Sequence, residues 1–305
     1  TPRFQETPAV RLAFSTNAFK KVSLEEAIDQ IADAGYEGVE IMADVPHAYP
    51  PHMSRRRTKA LVTQMRDLRL EVSNVNAFTF FALGDTWNPS WIDPSPKVRA
   101  QRVEHTENSL RLAAELGAAA ISTEPGGHVS PKLTHGQAME FFRLGLQMVY
   151  PLARQLDVTV LIEPEPELLL ESADDFLEFI GTVPHGHVGL NFDVGHFFCV
   201  GDDPAEAARK LAPWIRHVHI EDIAPNREHK HLVPGRGIQR CAEVLDHLVQ
   251  IDFDGVVSLE VGTRTMKTAA REAALAESLA FAREHLGQHG LPGSRQDQER
   301  TRFSG

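Results

Sequence analysis

Short apolar segments alternate with longer segments of helical periodicity eight times along this chain. The apolar segments are rich in Val, Ile and Leu, which is typical of strands buried on both faces of a parallel sheet. These predicted strands cover residues 10–14, 38–42, 70–75, 118–122, 158–162, 188–192, 215–220 and 255–259. The predicted helices cover residues 24–34, 54–68, 96–116, 134–156, 173–180, 204–211, 239–249 and 268–285.

Regular strand–helix alternation indicates an α/β fold with a parallel sheet covered by helices. Eight units favour a closed ring of strands, so we predict a single (β/α)8 TIM barrel over residues 1–287. A doubly wound open sheet of the nucleotide-binding type would place a glycine-rich turn after the first strand, and residues 15–19 contain no glycine. Residues 288–305 are polar and lack an apolar period, so we predict a disordered tail there.

Local signals at the helix ends agree with these boundaries. Ser23 precedes a predicted helix and Glu26 follows three residues later, which is a capping-box spacing. Ser172 stands in the same relation to the helix that follows it. Gly35 and Gly117 come directly after helices, where a left-handed backbone is favourable.

Composition and charge narrow the classes of function. The chain has 31 Lys and Arg against 42 Asp and Glu, a formal net charge of −11, which disfavours nucleic acid and anionic membranes as partners. No apolar run approaches the ~20 residues of a membrane span. Two cysteines, Cys199 and Cys241, cannot form a disulfide framework, so we expect a cytoplasmic protein.

Four acidic or histidine residues close the last four predicted strands: Glu163, Asp193, His219 and Glu260. Carboxyl ends of barrel strands meet at one face, where active sites of this fold are built. Strand alternation also places these polar side chains opposite the apolar ones, and therefore inside the barrel. Three carboxylates crowded around one imidazole repel each other unless a cation compensates them. Mainly oxygen donors suit Mn²⁺, Mg²⁺ or Co²⁺ better than structural zinc, although Zn²⁺ stays possible.

Further polar residues near the predicted strand ends are candidates for binding substrate. They are His196, Glu124, Asn76, Arg227, His231 and Arg236. Taken singly, each is equally compatible with a helix cap or a solvated loop. The long loop after the third strand carries five aromatic residues that could close over a site, form a wall for a sugar, or pack on a partner subunit. They are Phe78, Phe80, Phe81, Trp87 and Trp91.

At these positions the sequence resembles the xylose isomerase-like barrel superfamily, and the general pattern matches from residue 10 to about residue 286. That superfamily includes sugar isomerases, ketose 3-epimerases, inosose dehydratases and enzymes of the endonuclease IV type. The matching pieces are Ile162-Glu163-Pro164, Leu190-Asn191-Phe192-Asp193-Val194-Gly195-His196, His217-Val218-His219-Ile220-Glu221-Asp222, Pro234-Gly235-Arg236-Gly237 and Ser258-Leu259-Glu260.

The resemblance implies that Glu163, Asp193, His219 and Glu260 bind one divalent metal, and that His196 touches substrate. It also implies that Glu163 and Glu260 are the catalytic acid/base pair, with proton transfer through an enediolate held by the metal. We therefore expect a metal-dependent isomerase or epimerase acting on a sugar, ketose or polyol-like substrate, in a chain that could form a homo-oligomer.

Three alternatives stay open from the sequence. An inosose-type dehydratase would use the same groups. An endonuclease IV-like phosphoesterase would recruit Glu124, His196 and His231 as extra metal ligands, but Asn76 stands where that type has a histidine, and the net charge disfavours DNA. A barrel that binds a sugar-like ligand without turnover is the third.

Overall fold

Eight parallel strands form a closed barrel in chain order, with β1 paired to β8. The computed structural model describes residues 10–184, 186–262 and 266–290, and the side chains of residues 287–290 are not described. The strands are β1 Arg11–Ser15, β2 Gly38–Met42, β3 Glu71–Asn76, β4 Ala120–Thr123, β5 Thr159–Ile162, β6 Val188–Asp193, β7 Ile215–Ile220 and β8 Val256–Leu259. The predicted TIM barrel is confirmed.

Helices surround the barrel on its outer face. They are α1 Leu24–Asp33, α2 Arg55–Leu68, α3 Pro96–Leu116, α4 His135–Leu156, α5 Ala173–Ile180, α6 Val194–Val200, α7 Pro204–Leu211, α8 Cys241–Gln250 and α9 Thr268–Gly290. Short 3-10 helices cover Thr16–Phe19 and Pro50–His52. None of the helices within the described ranges has the length and apolar character that a bilayer crossing requires.

The predicted helix ends are built as the sequence indicates. The Ser23 hydroxyl accepts a hydrogen bond from the Glu26 backbone N–H, and Ser172 forms a reciprocal capping box at the start of α5. Gly35 and Gly117 have φ of 93° and 80°, a left-handed conformation that favours glycine. These caps fix where each helix begins and ends relative to the strand before or after it.

The main difference from the sequence prediction is α6, a seven-residue helix that begins directly where β6 ends. The carboxylate of Asp193 caps it, and Gly201 ends it at φ 102°. At the other end of the chain, α9 continues to Gly290, so the predicted boundary at residue 287 falls inside this helix. Residues 291–305, most of the predicted tail, lie outside the described residues.

Candidate active site

Four side chains at the carboxyl ends of β5, β6, β7 and β8 converge at the top of the barrel. Donor atoms of Glu163, Asp193, His219 and Glu260 all lie within 4.8 Å of one another, and all four residues are buried. The four residues therefore lie together as predicted, because each lies at the end of one of four neighbouring strands.

Each of the three carboxylates has one oxygen held by a hydrogen-bond donor. The side-chain amide of Asn191 donates to Glu163 Oε2 at 2.8 Å, and that of Asn17 donates to Glu260 Oε1 at 2.7 Å. The His196 backbone N–H donates to Asp193 Oδ1 at 2.9 Å, as the cap of α6. The three carboxylates are thereby fixed in rotation, with the second oxygen of each turned toward the others.

The second oxygens surround one nitrogen of His219. Its Nδ1 lies 3.2 Å from Glu163 Oε1, 3.2 Å from Glu260 Oε2 and 3.6 Å from Asp193 Oδ2. Burial acts to lower the pKa of His219, but the carboxylates of Glu40, Glu260 and Glu163 outweigh it and raise this pKa well above its usual value. The surrounding carboxylates therefore stabilise a positive charge at the position of His219 Nδ1.

The donor set fits a divalent cation. Asp193 Oδ2 is buried and has no hydrogen-bond partner among the described residues, which is costly for a carboxylate oxygen unless an ion meets it. Three oxygen donors and one imidazole nitrogen are a usual set for Mn²⁺, Mg²⁺, Co²⁺ or Zn²⁺. Glu163, Asp193, His219 and Glu260 are the residues that would hold it.

Polar residues inside the barrel orient His219 and the Asn191 amide, both of which belong to this centre. Glu40 Oε1 lies 2.8 Å from His219 Nε2, so that Nε2–H donates to Glu40 and Nδ1 faces the carboxylates. His217 Nδ1 donates to Asn191 Oδ1 at 2.8 Å, which turns the Asn191 amide toward Glu163. His217 Nε2 is 2.8 Å from Ser258 Oγ, so the barrel interior forms a continuous support beneath the site.

A second group of nitrogen donors, from His196, His229 and His231, lies beside the first and could also hold an ion. His196 Nδ1 donates to the carbonyl of Pro164 at 2.8 Å, and His231 Nδ1 donates to the carbonyl of Glu260 at 2.9 Å. In both rings this leaves Nε2 as the acceptor nitrogen when the ring is neutral. His229 Nε2 approaches His231 Nε2 to 2.7 Å.

These groups open into a cavity of about 150 Å³ at the mouth of the barrel. Its lining consists of Asn17, Asn76, Phe78, Thr79, Thr86, Glu163, Glu165, His196, His229, His231 and Glu260. Of the predicted substrate-binding residues, His196, Asn76 and His231 therefore face the cavity. Sequence reasoning missed two lining residues, Asn17 and Glu165. Asn17 could have been found from its position, because it lies just after β1 in the same way that Asn76 lies at the end of β3.

The other three predicted substrate-binding residues do not line this cavity. The Arg227 guanidinium lies over the ring of Phe198 on α6, 4.9 Å from its centroid. Arg236 forms an exposed ion pair with Glu277 of α9. Glu124 is fully buried, and its carboxylate accepts hydrogen bonds from the backbone N–H groups of Trp91 and Gly126 at 3.1 and 2.6 Å.

Glu124 belongs instead to the support of the aromatic loop, which we define as residues 78–91. Arg102, fully buried on α3, lies 3.9 Å from Glu124 and donates to the carbonyls of Ala77, Phe78 and Pro89 at 3.1, 3.0 and 2.6 Å. One guanidinium thereby holds both ends of the loop.

The body of the aromatic loop is tied down by Asp44, a buried residue just after β2. Its carboxylate accepts hydrogen bonds from Thr79 Oγ1 at 2.9 Å and from the backbone N–H groups of Phe81 and Ala82 at 2.5 and 3.1 Å. Of the loop aromatics, Phe78 lines the cavity, whereas the ring of Phe81 is partly exposed. The loop thus supplies a wall of the cavity.

The Glu124 carboxyl group gives the protein a pH-dependent stability. Burial raises its pKa to about 7 from an ordinary value of 4.5, against the opposing charge of Arg102. Between pH 4.5 and about pH 7 the folded protein keeps the Glu124 proton and the unfolded chain releases it. This proton uptake therefore stabilises the folded state fully below pH 4.5, and the stabilisation is lost as pH rises through about 7.

We therefore expect the stability difference between wild type and Glu124→Gln to change with pH, because Gln resembles the protonated carboxyl group and does not titrate. From about pH 5 to about pH 8, the wild type should lose about 2–3 kcal/mol relative to the variant. Urea unfolding of both proteins at each pH measures this. A pH-independent difference would contradict the assignment.

The fold and the site together define an enzyme of the (β/α)8 barrel class, with its acidic centre at the carboxyl ends of the strands. Residues 28–285 match the family model described as the xylose isomerase-like TIM barrel. The chain belongs to the xylose isomerase-like TIM barrel family.

Individual relatives agree with this assignment. The chain is 22% identical over 240 residues to 3-dehydroshikimate dehydratase of Bacillus anthracis, covering 78% of this chain and 80% of the relative. A crystal structure of a D-tagatose 3-epimerase-like protein superimposes with a TM-score of 0.77 at 23% identity, covering 92% of this chain and 98% of that one. The IOLI protein, whose crystal structure has a bound zinc atom, superimposes with a TM-score of 0.75 at 17% identity, covering 92% and 99%. Both structures share the fold.

Proposed function

We propose that this protein is a divalent-metal-dependent isomerase or epimerase that acts on a small ketose or polyol-like substrate. The observation that supports it is the pair Glu163 and Glu260, which face one point from two sides, each with one oxygen held by an asparagine amide and the other directed at His219 Nδ1. The D-tagatose 3-epimerase-like neighbour and the family match support the same chemistry.

In this proposal the two glutamates divide the proton transfers. One carboxylate removes the proton from the carbon next to a carbonyl group. The electron pair of that C–H bond forms a carbon–carbon double bond, and the π pair of the carbonyl group moves to its oxygen. The second glutamate delivers a proton to the opposite face of the same carbon, which inverts its configuration. Acid–base catalysis by positioned side chains typically contributes ~10²–10⁴ in rate.

A divalent ion held by Glu163, Asp193, His219 and Glu260 would supply electrostatic stabilisation of the negative charge that develops on substrate oxygens. The chain's own residues keep the substrate positioned. Asn76, His196 and His231 line the cavity, and Phe78 of the aromatic loop offers an apolar surface that limits the entry of water.

The relative from Bacillus anthracis supports a second candidate, a dehydratase. The same carboxylate would take the proton, and the neighbouring carbon would then lose a hydroxyl group as water, with the second carboxyl group protonating it. Product mass separates the two reactions, because epimerisation conserves the mass of the substrate and dehydration removes one water.

The test is solvent exchange. Incubation of the Mn²⁺-loaded protein with D-fructose, D-tagatose and D-psicose in deuterated water should introduce deuterium at the carbon next to the carbonyl group, detected by NMR, and should yield the epimer. If no ketose of this panel exchanges or changes configuration, the proposed isomerase activity on these sugars is wrong.

A further inference from the structure

We propose that Glu165 is the residue that selects the substrate, by accepting a hydrogen bond from a hydroxyl or ammonium group of a substrate bound in the cavity. This inference rests on the proposed function, because it names the class of substrate for the same cavity. It assigns a task to a carboxyl group that neither the acidic centre nor the packing of the barrel uses.

The position of Glu165 is fixed by the backbone around it. It follows β5 by three residues, and its backbone N–H donates to the carbonyl of Leu170 at 3.1 Å, which closes a short turn above the strand. The side chain is 8% exposed and lines the cavity together with Glu163 and Glu260. A ligand in the cavity therefore meets this carboxyl group without any rearrangement of the backbone.

Glu165 is poorly partnered for a buried acid. Within the described ranges, the hydrogen bond that reaches its carboxylate comes from Trp87 Nε1 at 3.4 Å, near the upper limit for such a bond. His229 Nδ1 lies 3.7 Å from the same oxygen, beyond hydrogen-bond distance. A buried carboxyl group with so few donors destabilises the free protein, and a ligand that brings a donor would remove this cost.

The charges around the cavity indicate which ligands fit. Glu163, Asp193 and Glu260 contribute three carboxylates, and a divalent ion carries only two positive charges. Even with such an ion bound, these three carboxylates leave the centre with a negative charge, and Glu165 on the same cavity wall adds no positive charge to offset it. The negative charge of the centre favours neutral or cationic substrates and repels a phosphate ester or carboxylate. We infer an unphosphorylated keto sugar or amino keto sugar.

The experiment measures binding of three probes to the Mg²⁺-loaded full chain by titration calorimetry: D-fructose, 1-amino-1-deoxy-D-fructose and D-fructose 6-phosphate. We compare wild type with Glu165→Gln and Glu165→Leu. The matched control is Glu167→Gln, which makes the same change two residues further on, where the side chain is exposed. Thermal unfolding checks that the variants fold, since loss of a buried acid should not lower stability.

Wild type should bind the first two probes and exclude the phosphate ester. Glu165→Leu should weaken the binding of both probes by about 10-fold, as expected for a lost hydrogen bond. If the partner of Glu165 is an ammonium group, Glu165→Gln should weaken binding of the amino sugar alone. If the partner is a hydroxyl group, Glu165→Gln should leave the binding of both probes unchanged. Glu167→Gln should change neither affinity.

Tightest binding of the phosphate ester, absence of binding by all three probes, or a Glu165→Leu variant that binds like Glu167→Gln would each overturn the inference. The two proposals fail separately, because binding is measured without turnover. Binding that depends on Glu165 without solvent exchange would defeat the proposed function alone, and exchange that is indifferent to position 165 would defeat this inference alone.

Discussion

Glu260→Gln should lower the rate of solvent exchange into a ketose substrate by ~10²–10⁴ while the protein stays folded. Gln has nearly the same shape, and its side-chain carbonyl can still accept the hydrogen bond that Asn17 donates to Glu260 at 2.7 Å. It cannot accept a proton from carbon. The geometry of the site is thus kept and its acid–base capacity is removed, which isolates the chemical role of the carboxylate.

Two controls make this result specific. The assay is run at saturating Mn²⁺, because the substitution also removes one negative donor from the acidic centre and weakens ion binding. Glu272→Gln, an exposed position on α9, should exchange like wild type. Circular dichroism should show an intact fold for both variants. Wild-type turnover in Glu260→Gln would remove this residue from the mechanism.

Removal of divalent ions by a chelator should abolish solvent exchange and lower the thermal midpoint, and added Mn²⁺ should restore both. The physical reason is that carboxylates with donor atoms within 4.8 Å of each other repel one another until a cation lies between them. An ion present at about 1,000 times its dissociation constant stabilises the folded state by ~4 kcal/mol, or roughly 6 °C for a domain of this size.

Asp193→Asn provides the matched test for the location of the ion. Asn is as good a helix N-cap as Asp, so α6 should still begin at this position. The amide has lost the charge that Asp193 Oδ2 presents to the centre, so the variant should respond less to the chelator than wild type does. An equal chelator response in both proteins would place the stabilising ion elsewhere.

The sequence was sufficient to predict the barrel and the four residues of its acidic centre. The apolar strands recur with a period that a closed parallel sheet requires, and each strand ends at a common face. Glu163, Asp193, His219 and Glu260 are therefore brought together by the topology itself, whatever path the loops take. The structure adds that Asn191 and His217, placed inside the barrel by strand alternation, support the centre from below.

Residues in loops could not be placed in this way. Glu124 follows β4 much as Glu163 follows β5, yet its carboxylate accepts hydrogen bonds from the backbone N–H groups of Gly126 and Trp91 and does not line the cavity. Arg227 and Arg236 turn to Phe198 and Glu277, contacts that depend on where α6 and α9 lie. Side-chain direction in a loop depends on φ and ψ values that residue spacing does not encode.

The helix α6 was missed for a related reason. Its seven residues are too few for a helical period to be visible beside the strand before it, and its start depends on a cap by Asp193, a residue already interpreted as a ligand. Glu165 escaped notice because its role depends on a cavity that several loops build jointly.

The clamp of Arg102 on the aromatic loop restricts how substrate can enter. Since one buried guanidinium grips Ala77, Phe78 and Pro89, the two roots of this loop cannot separate without breaking hydrogen bonds to a charged group. Asp44 holds the backbone of Phe81 and Ala82 as well, so residues 83–88 are the part of the loop that neither Arg102 nor Asp44 contacts. We therefore expect this segment to move when a ligand enters or leaves the cavity, while the rest of the barrel mouth keeps its shape.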